Sequence, residues 1–486
     1  MPRRPGGVLL LVGVVVLAVA VRLITINQPF IDTWSWRQSD VAAIARNYLH
    51  GGFRFAWPQI DWAGTAEGYV GTEFPILPFT AALAYKITGV HEWVGRLQTL
   101  LFFILSVPFF AALVKEIYGE RESLWAVVFY CFAPLSVMTS RCFMPDMPSL
   151  SLSLIGLYNF KRWIETSRWQ LFAAAVVTTA LALLIKLPTA IIGAAFGCVA
   201  LEKFGAGAFR RPALWLFAAL VMLPSALWYW HAADLAGRFY PYHFFGEGGV
   251  RLMSLGWYAH VAHRTVEYSL TIVLSGLAFA GIFVAMRRSA SSLFYWWLGA
   301  TILFVIGVGY GNRHPWYQLP FVPIGAVFAG CAMTKLFMKL GDRMVLKRAV
   351  TGLIMLLFVA ETVRANRLFF RPAAADLQTL GLALKQHTGL DTRIVIADYG
   401  DPTAFYYAER KGWHFLETHG VYNGHPNVSA DAIEDLRRLR EQGATYVAFY
   451  SGTRWWLEYY SDFNRYLADS SQLIEKTPEY EIYQLH

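Results

Sequence analysis

Apolar stretches recur along most of the first three quarters of the chain, separated by short polar intervals. They cover residues 7–25, 96–115, 123–140, 149–160, 169–185, 188–203, 213–230, 266–286, 292–311, 316–337 and 349–364. A helix needs about 20 predominantly apolar residues to cross a hydrocarbon layer, so the pattern predicts a polytopic α-helical membrane protein of about eleven spans, several of them short. From Phe172 to Leu201 the chain is apolar apart from Lys186. That is too long for one untilted span. Pro188 cannot continue a helix without losing a backbone bond, so a hairpin with Lys186 at its outer turn is expected.

The basic residues give the spans a direction. If eleven spans alternate, Arg3/Arg4, Lys115/Arg121, Lys161/Arg162, Lys203/Arg210/Arg211, Arg287/Arg288 and the group from Lys335 to Arg348 all fall on one side. Cationic short loops mark the cytoplasmic face, which puts the amino terminus inside and the carboxyl terminus outside. Pro2-Arg3-Arg4 followed by Val8 to Ala20 also has the form of a signal peptide. The later segments form a bundle that would use this helix as a span, and it is read as one.

Four features then lie on the outer side: a long loop over 27–95, a turn from Arg141 to Pro148, a loop over 232–267 rich in Tyr, His and Gly, and the tail. The expected organisation is a transmembrane domain over 1–366, including the loop 27–95, and a soluble α/β domain over 367–486. In the tail, Arg393 to Asp398 reads as a buried strand. Ser429 is placed to cap a helix over Ala430 to Arg440, with Gly443 as its stop. Thr445 to Tyr450 and Tyr480 to Leu485 are further strands. No GxGxxG follows the first strand, so nucleotide binding has no support.

Composition agrees with a membrane chain. Of 486 residues, 56% are hydrophobic and 15% charged, against about 25% charged in soluble domains. The net charge of +9 comes from 42 Lys+Arg against 33 Asp+Glu. Its placement beside apolar segments points to topology signals and not to a nucleic-acid partner. Cys131, Cys198 and Cys331 lie inside apolar runs, Cys142 stands alone, and no paired spacing implies zinc or a disulfide framework.

The candidate chemistry lies on the outer side. The first loop opens with Asp32, a good helix cap, and Trp36 and Asp40 follow at four-residue steps. A helix would set the three on one face along the membrane surface. Such a helix is equally an ordinary amphipathic interfacial element with solvated carboxylates. Asp61 and Glu73 follow among Trp, Tyr and Phe, before a second surface helix over 76–87. Carboxylates among aromatic rings suit a sugar. A loop of this length also exceeds ordinary connections, which favours function.

Lys186, Arg141, Arg313 and His314 fall at outer span ends, where each would meet a lipid phosphate or snorkel to the interface. Asp146, between Pro145 and Pro148, needs a partner near membrane depth, with Arg141 or a bound group as candidates. His260, His263 and Glu267 would share a helix face and could bind a divalent ion. A phosphate contact by Arg264 or a satisfied interfacial His is the favoured alternative.

Several motifs in order resemble the GT-C glycosyltransferases of the family-39 type, which include protein O-mannosyltransferases and lipid A aminoarabinose transferases. They are Arg22-Leu23 with Pro29-x-x-Asp32, Trp36-Arg37-Gln38-x-Asp40, Glu73-Phe-Pro-x-x-Pro78, Arg141-x-Phe-Met-Pro-Asp146, Lys186-Leu-Pro188 and Trp316-Tyr317-Gln-Leu-Pro320. The likeness covers roughly residues 8–340 and is weak in the tail. The family shows Asp-Glu in tandem where this chain has Asp32-Thr33, which leaves the base as either Asp32 or Asp40.

The resemblance implies inverting transfer of a sugar from a polyprenyl-phosphate lipid to a hydroxyl of a glycan, lipid or protein, on the periplasmic face of a bacterial inner membrane. Asp32, Asp40 and Asp146 would be catalytic. Lys186, Arg37, Glu73, Arg141, Arg313, His314 and Tyr317 would hold the donor phosphate or the substrates. No cofactor or metal is implied beyond the divalent-ion possibility at His260, His263 and Glu267, and no nucleic-acid partner. A polyprenyl-lipid transporter or flippase shares the topology and the buried cations, but the one-sided aromatic and acidic loop, the odd span count and the lack of a two-fold repeat stand against it. An O-antigen ligase or polymerase is the nearer enzymatic rival, separated by which outer loop carries its essential residues.

Overall fold

A computed structural model describes residues 5–240, 251–287, 291–418 and 421–486. Arg3, Arg4, Arg288 and residues 241–250 of the loop expected over 232–267 lie outside the described residues. By contacts the chain forms two compact units. One holds residues up to Ile26, Arg96–Trp228 and Glu247–Leu368; the other holds Asn27–Gly95, Tyr229–Gly246 and Phe369–His486.

The first unit is helical, and helices stand at all the expected apolar segments. Among the described residues, five helices are long and apolar enough to cross a membrane: Glu92–Ile117, Leu187–Arg210, Pro212–Arg238, Leu293–Arg313 and Phe321–Lys339. Two bent pairs raise the number to seven if each is one span: Glu120–Phe132 with Pro134–Arg141, bent by 59°, and Leu255–Leu270 with Ile272–Met286, bent by 104°. Asp146–Thr166 and Met344–Phe369 are further long helices. The bends have local causes. Pro134 opens a new helix after the extended Ala133, and Thr271 has a positive φ of 95° between the two halves of the second pair.

Glycine allows one close helix contact. A Cβ on Gly281 would lie 1.8 Å from the carbonyl oxygen of Phe328, so only glycine lets these two backbones meet. Arg22, 1% exposed, donates to the carbonyls of Ala18 and Cys131 at 2.9 Å each and lies 4.1 Å over the Phe103 ring. With its donors paired in this way, a buried guanidinium is tolerable in an apolar bundle.

The second unit is built on a five-stranded sheet of order β2-β1-β5-β7-β6. Its strands are β1 (Arg393–Ala397), β2 (Lys411–His414), β5 (Ala444–Tyr450), β6 (Ser471–Lys476) and β7 (Tyr480–Leu485); β3 and β4 form a separate short ladder at Glu417–Thr418 and Val421–Tyr422. β1 pairs in parallel with β2 and β5, while β7 runs antiparallel to β5 and β6. The expected strands appear with near-identical bounds; β2 and β6 were not foreseen. The helix over Ser429–Glu441 also appears, but Ser429 lies inside it. Its amino-terminal bonds come from Asp431, whose carboxylate accepts the N–H of Asn427 at 2.9 Å and of Val428 at 3.2 Å.

The loop 27–95 belongs to this unit and not with the bundle segments, so the division does not follow the single boundary expected at 366/367. Gly412 on edge strand β2 donates to the carbonyl of Asp61 at 3.0 Å and accepts from Gly64 N–H at 2.7 Å. The loop therefore covers the sheet edge. Gly64 has φ +65°, and a Cβ there would lie 2.1 Å from the Trp413 indole nitrogen.

The helix expected from Asp32 onward begins at Ser35 and runs to His50. Asp32 precedes it and does not cap it, since no side-chain cap bond exists at Trp34. Only Trp36 and Asp40 of the expected triple lie on the helix. It is also largely buried, from Gln38 to Arg46 and again at Tyr48, so it is not an amphipathic helix resting on a surface. The second helix, Ile76–Thr88, stands where expected.

Candidate active site

Each unit gathers one group of the expected residues. In the bundle unit, Trp169–Ile185 ends where Lys186 turns extended at φ −155° and ψ 102°, and a 3-10 helix over Leu187–Ile192 follows. Pro188 at its start explains the change of direction. Lys186, 8% exposed, forms an ion pair with Asp146, 3% exposed, at the first turn of Asp146–Thr166. The ammonium also lies 5.1 Å from the Tyr317 ring and 6.0 Å from the Trp316 ring, two faces that favour a cation.

The other oxygen of Asp146, Oδ2, is buried and has no hydrogen-bond partner among the described residues. A cavity opens here, with Asp146, Lys186, Thr189, Trp316 and Tyr317 in its wall. Beside it, the Ser149 hydroxyl is 2.6 Å from that of Thr189 and donates to the carbonyl of Ala182 at 2.8 Å. Apart from Ser153 the rest of the wall is apolar, so the pair sits in a low dielectric that strengthens its hold on any charged group admitted.

The neighbouring cations are differently placed. Arg141, 1% exposed, donates to the carbonyl of Thr25 at 2.6 Å. Arg313 lies 4.1 Å over the Tyr310 ring. His314 stacks on Trp316 with ring centres 4.6 Å apart and planes 4° from parallel. His263 meets Glu267 at 3.1 Å, but Glu267 also binds Arg364 at 3.0 Å. The described residues hold no group of three His, Cys, Asp or Glu suited to a metal.

In the other unit, Asp32 is 1% exposed, and both its oxygens accept from the Gln38 amide, at 3.0 and 2.9 Å. Trp34 N–H adds a bond at 3.2 Å. Arg37 bridges Glu73 and Asp40, the latter at 3.7 Å. Asp61 is used structurally: Arg46 and Asn47 bind its two oxygens at 2.5 and 2.9 Å.

Three further side chains partner this group. Ser35 donates to Asp401 at 2.9 Å, Ser39 meets the Thr403 hydroxyl at 3.1 Å, and Gln38 holds Asp32. A signal existed in Ser35, Gln38 and Ser39, polar residues at three- and four-residue spacing on one helix face. The matching tail residues are hundreds of positions away.

A protein-family model described as dolichyl-phosphate-mannose-protein mannosyltransferase matches residues 72–230. No curated protein matches the sequence. Among solved structures, ArnT from Cupriavidus metallidurans bound to undecaprenyl phosphate superposes with TM-score 0.68 at 15% identity, covering 99% of this chain and 98% of that one. The oligosaccharyltransferase AglB from Archaeoglobus fulgidus, in complex with an inhibitory peptide and a dolichol-phosphate, gives 0.64 at 13% identity, covering 95% and 72%. The mycobacterial arabinofuranosyltransferase AftD gives 0.57 at 14% identity, covering 98% and 40%. The chain thus has the fold of the GT-C glycosyltransferases, and the resemblance to ArnT and to protein O-mannosyltransferases first seen in its motifs holds.

Proposed function

We propose that this protein is an inverting glycosyltransferase that moves a sugar from a polyprenyl-phosphate donor to an acceptor hydroxyl at the outer face of a bacterial inner membrane. The observation that carries this is the buried Lys186–Asp146 pair in the wall of an aromatic cavity within the membrane unit. A lone charge there would be costly, and a pair with one unbonded carboxylate oxygen is a site awaiting a polar group. The two solved neighbours that hold undecaprenyl phosphate and dolichol-phosphate lend support by fold.

In this scheme the acceptor hydroxyl of a glycan, lipid or protein attacks the anomeric carbon. The bond from that carbon to the phosphate oxygen breaks, and the polyprenyl phosphate leaves with both electrons. A carboxylate takes the hydroxyl proton, a general-base role worth about 10²–10⁴ in rate. Asp32 is the proposed base: Gln38 and Trp34 N–H, both neutral, orient it. Asp40 and Glu73 hold Arg37 for the substrate. Lys186 meets the charge growing on the leaving phosphate, with Tyr317 beneath it, Asp146 holding its ammonium, and Arg141, Arg313 and His314 near the lipid headgroup.

Purified protein in lipid vesicles tests this with a labelled polyprenyl-phosphate sugar and, separately, UDP- and GDP-sugars. Transfer from the lipid donor alone is expected. Turnover of a nucleotide sugar without lipid would remove the reading.

A further inference from the structure

A second cavity, of about 220 Å³, lies wholly within the loop unit, between the end of the Ser35–His50 helix and the turn that follows. Its wall is polar and its hydrogen-bonding groups are pre-set. Both N–H groups of Asn47 are used, on the carbonyl of Gln59 and on Asp61, at 2.9 Å each. The Asn47 amide oxygen is left to accept. Gln59 Nε2 donates to the carbonyl of Glu67 at 2.9 Å, which likewise leaves Oε1. Arg54 is exposed and uses one nitrogen on the Tyr69 hydroxyl at 3.3 Å. Its remaining N–H groups and the Tyr69 O–H are donors. Trp57 completes the wall, its ring centre 5.2 Å from that of Tyr69.

Gly51 keeps the space open. A Cβ there would lie 2.8 Å from the carbonyl oxygen of Asn47 and 3.3 Å from Gln59 Oε1. The cavity therefore offers two amide acceptors and two donor groups beside indole and phenol rings. Its charged neighbour Asp61 is already held by Arg46 and Asn47. Vicinal hydroxyls, each both donor and acceptor, match such an alternation, and a ring's C–H face matches the aromatics. The volume falls below the roughly 300–1,000 Å³ of sites for drug-sized ligands, which suits one ring and not a chain.

We infer that this cavity is a subsite for a single sugar residue of the acceptor glycan. The inference rests on the proposed transfer reaction for the word acceptor, and on the cavity alone for the sugar. Saturation-transfer NMR on the detergent-purified full chain tests it, with the methyl glycosides of glucose, mannose, galactose, N-acetylglucosamine, arabinose and glucuronic acid as probes. At least one is expected to bind in the millimolar range, and Arg54→Ala and Tyr69→Phe each to weaken it by about tenfold. Arg54 is exposed and Tyr69→Phe keeps the ring, so both variants are expected to melt like wild type.

Absence of binding by all six probes overturns the subsite, as does binding that neither variant alters. Consumption of a polyprenyl-phosphate sugar by the wild-type protein is followed in parallel. If no such donor is used but a glycoside binds at Arg54 and Tyr69, the transfer reading fails and the sugar site stands. If the donor is used, the acceptor KM is expected to rise in Arg54→Ala with kcat retained; an unchanged KM denies the subsite its acceptor role.

Discussion

Lys186 and Asp146 carry the sharpest test at the level of single residues. Removing one partner of a buried ion pair leaves the other uncompensated and costs about 3–5 kcal/mol, whereas neutralising both is close to harmless for stability. Lys186→Met alone is expected to lower the melting temperature and abolish transfer. Lys186→Met with Asp146→Asn is expected to recover most of the stability and none of the activity. Recovery of both would make the pair structural only. Asp32 and Asp40 separate by kinetics. Asp32→Asn should lower kcat by about two orders of magnitude or more with donor binding close to wild type, the signature of a lost base. Asp40→Asn should act more weakly, through Arg37. A fast Asp32→Asn beside a slow Asp40→Asn would exchange the two roles.

The short helix Thr403–Ala408 acts at the next scale, because it binds the loop helix through several side chains. Asp401, just before it, accepts Ser35 Oγ–H and Thr403 N–H, each at 2.9 Å. Thr403 meets Ser39, and the carbonyl of Tyr406 accepts from Arg46. Burial pushes the Asp401 carboxyl up to about 6, against the downward pull of its hydrogen bonds with Thr403 and Ser35. A carboxyl whose folded pKa is raised holds its proton more tightly in the folded chain. Its ionisation therefore removes stability as pH rises from about 4 to about 6. That shift sets an upper bound of about 3 kcal/mol, which the partial exposure of Asp401 lowers. Asp401→Asn keeps the Thr403 N–H bond through Oδ1 and lets Ser35 Oγ accept from Nδ2, and it is expected to flatten the fall in melting temperature between pH 4 and 7. An unchanged pH profile would show that Asp401 is not the titrating group.

Across the whole molecule, the unit containing the loop is assembled from three separated stretches of chain. The tail supplies backbone partners that the loop cannot find in itself: Ala374 N–H to the carbonyl of Ile31 at 3.0 Å, Thr33 N–H to the carbonyl of Phe369 at 3.2 Å, and the Gly412 pairs. A chain ended after Leu368 is expected to expose residues 27–95 to protease at least tenfold faster than the full chain, since cleavage tracks the population of the opened state. Equal protection in the two would mean that the loop folds without the tail.

The membrane class, the places of the helices, three strands of the tail sheet and the break at Lys186 were legible in the chain because each rests on local chemistry. Apolar runs need a hydrocarbon layer, β-branched runs favour strands, and proline removes a backbone donor. The motif order carried the fold resemblance for a related reason, since it lists residues in sequence. What escaped was every feature made by distant residues meeting. Asp32 reads as a cap by neighbourhood, yet its carboxylate turns to Gln38. Strand β2 reads as nothing in Lys411-Gly-Trp-His414, because its glycine is selected by the Ile394 carbonyl 1.7 Å from where a Cβ would stand. Loop and tail read as separate because some 270 residues divide them. The sequence alone determined which segments are apolar, helical or charged; only tertiary structure decided which polar groups satisfy one another, because a hydrogen bond depends on distance in space and not on distance along the chain.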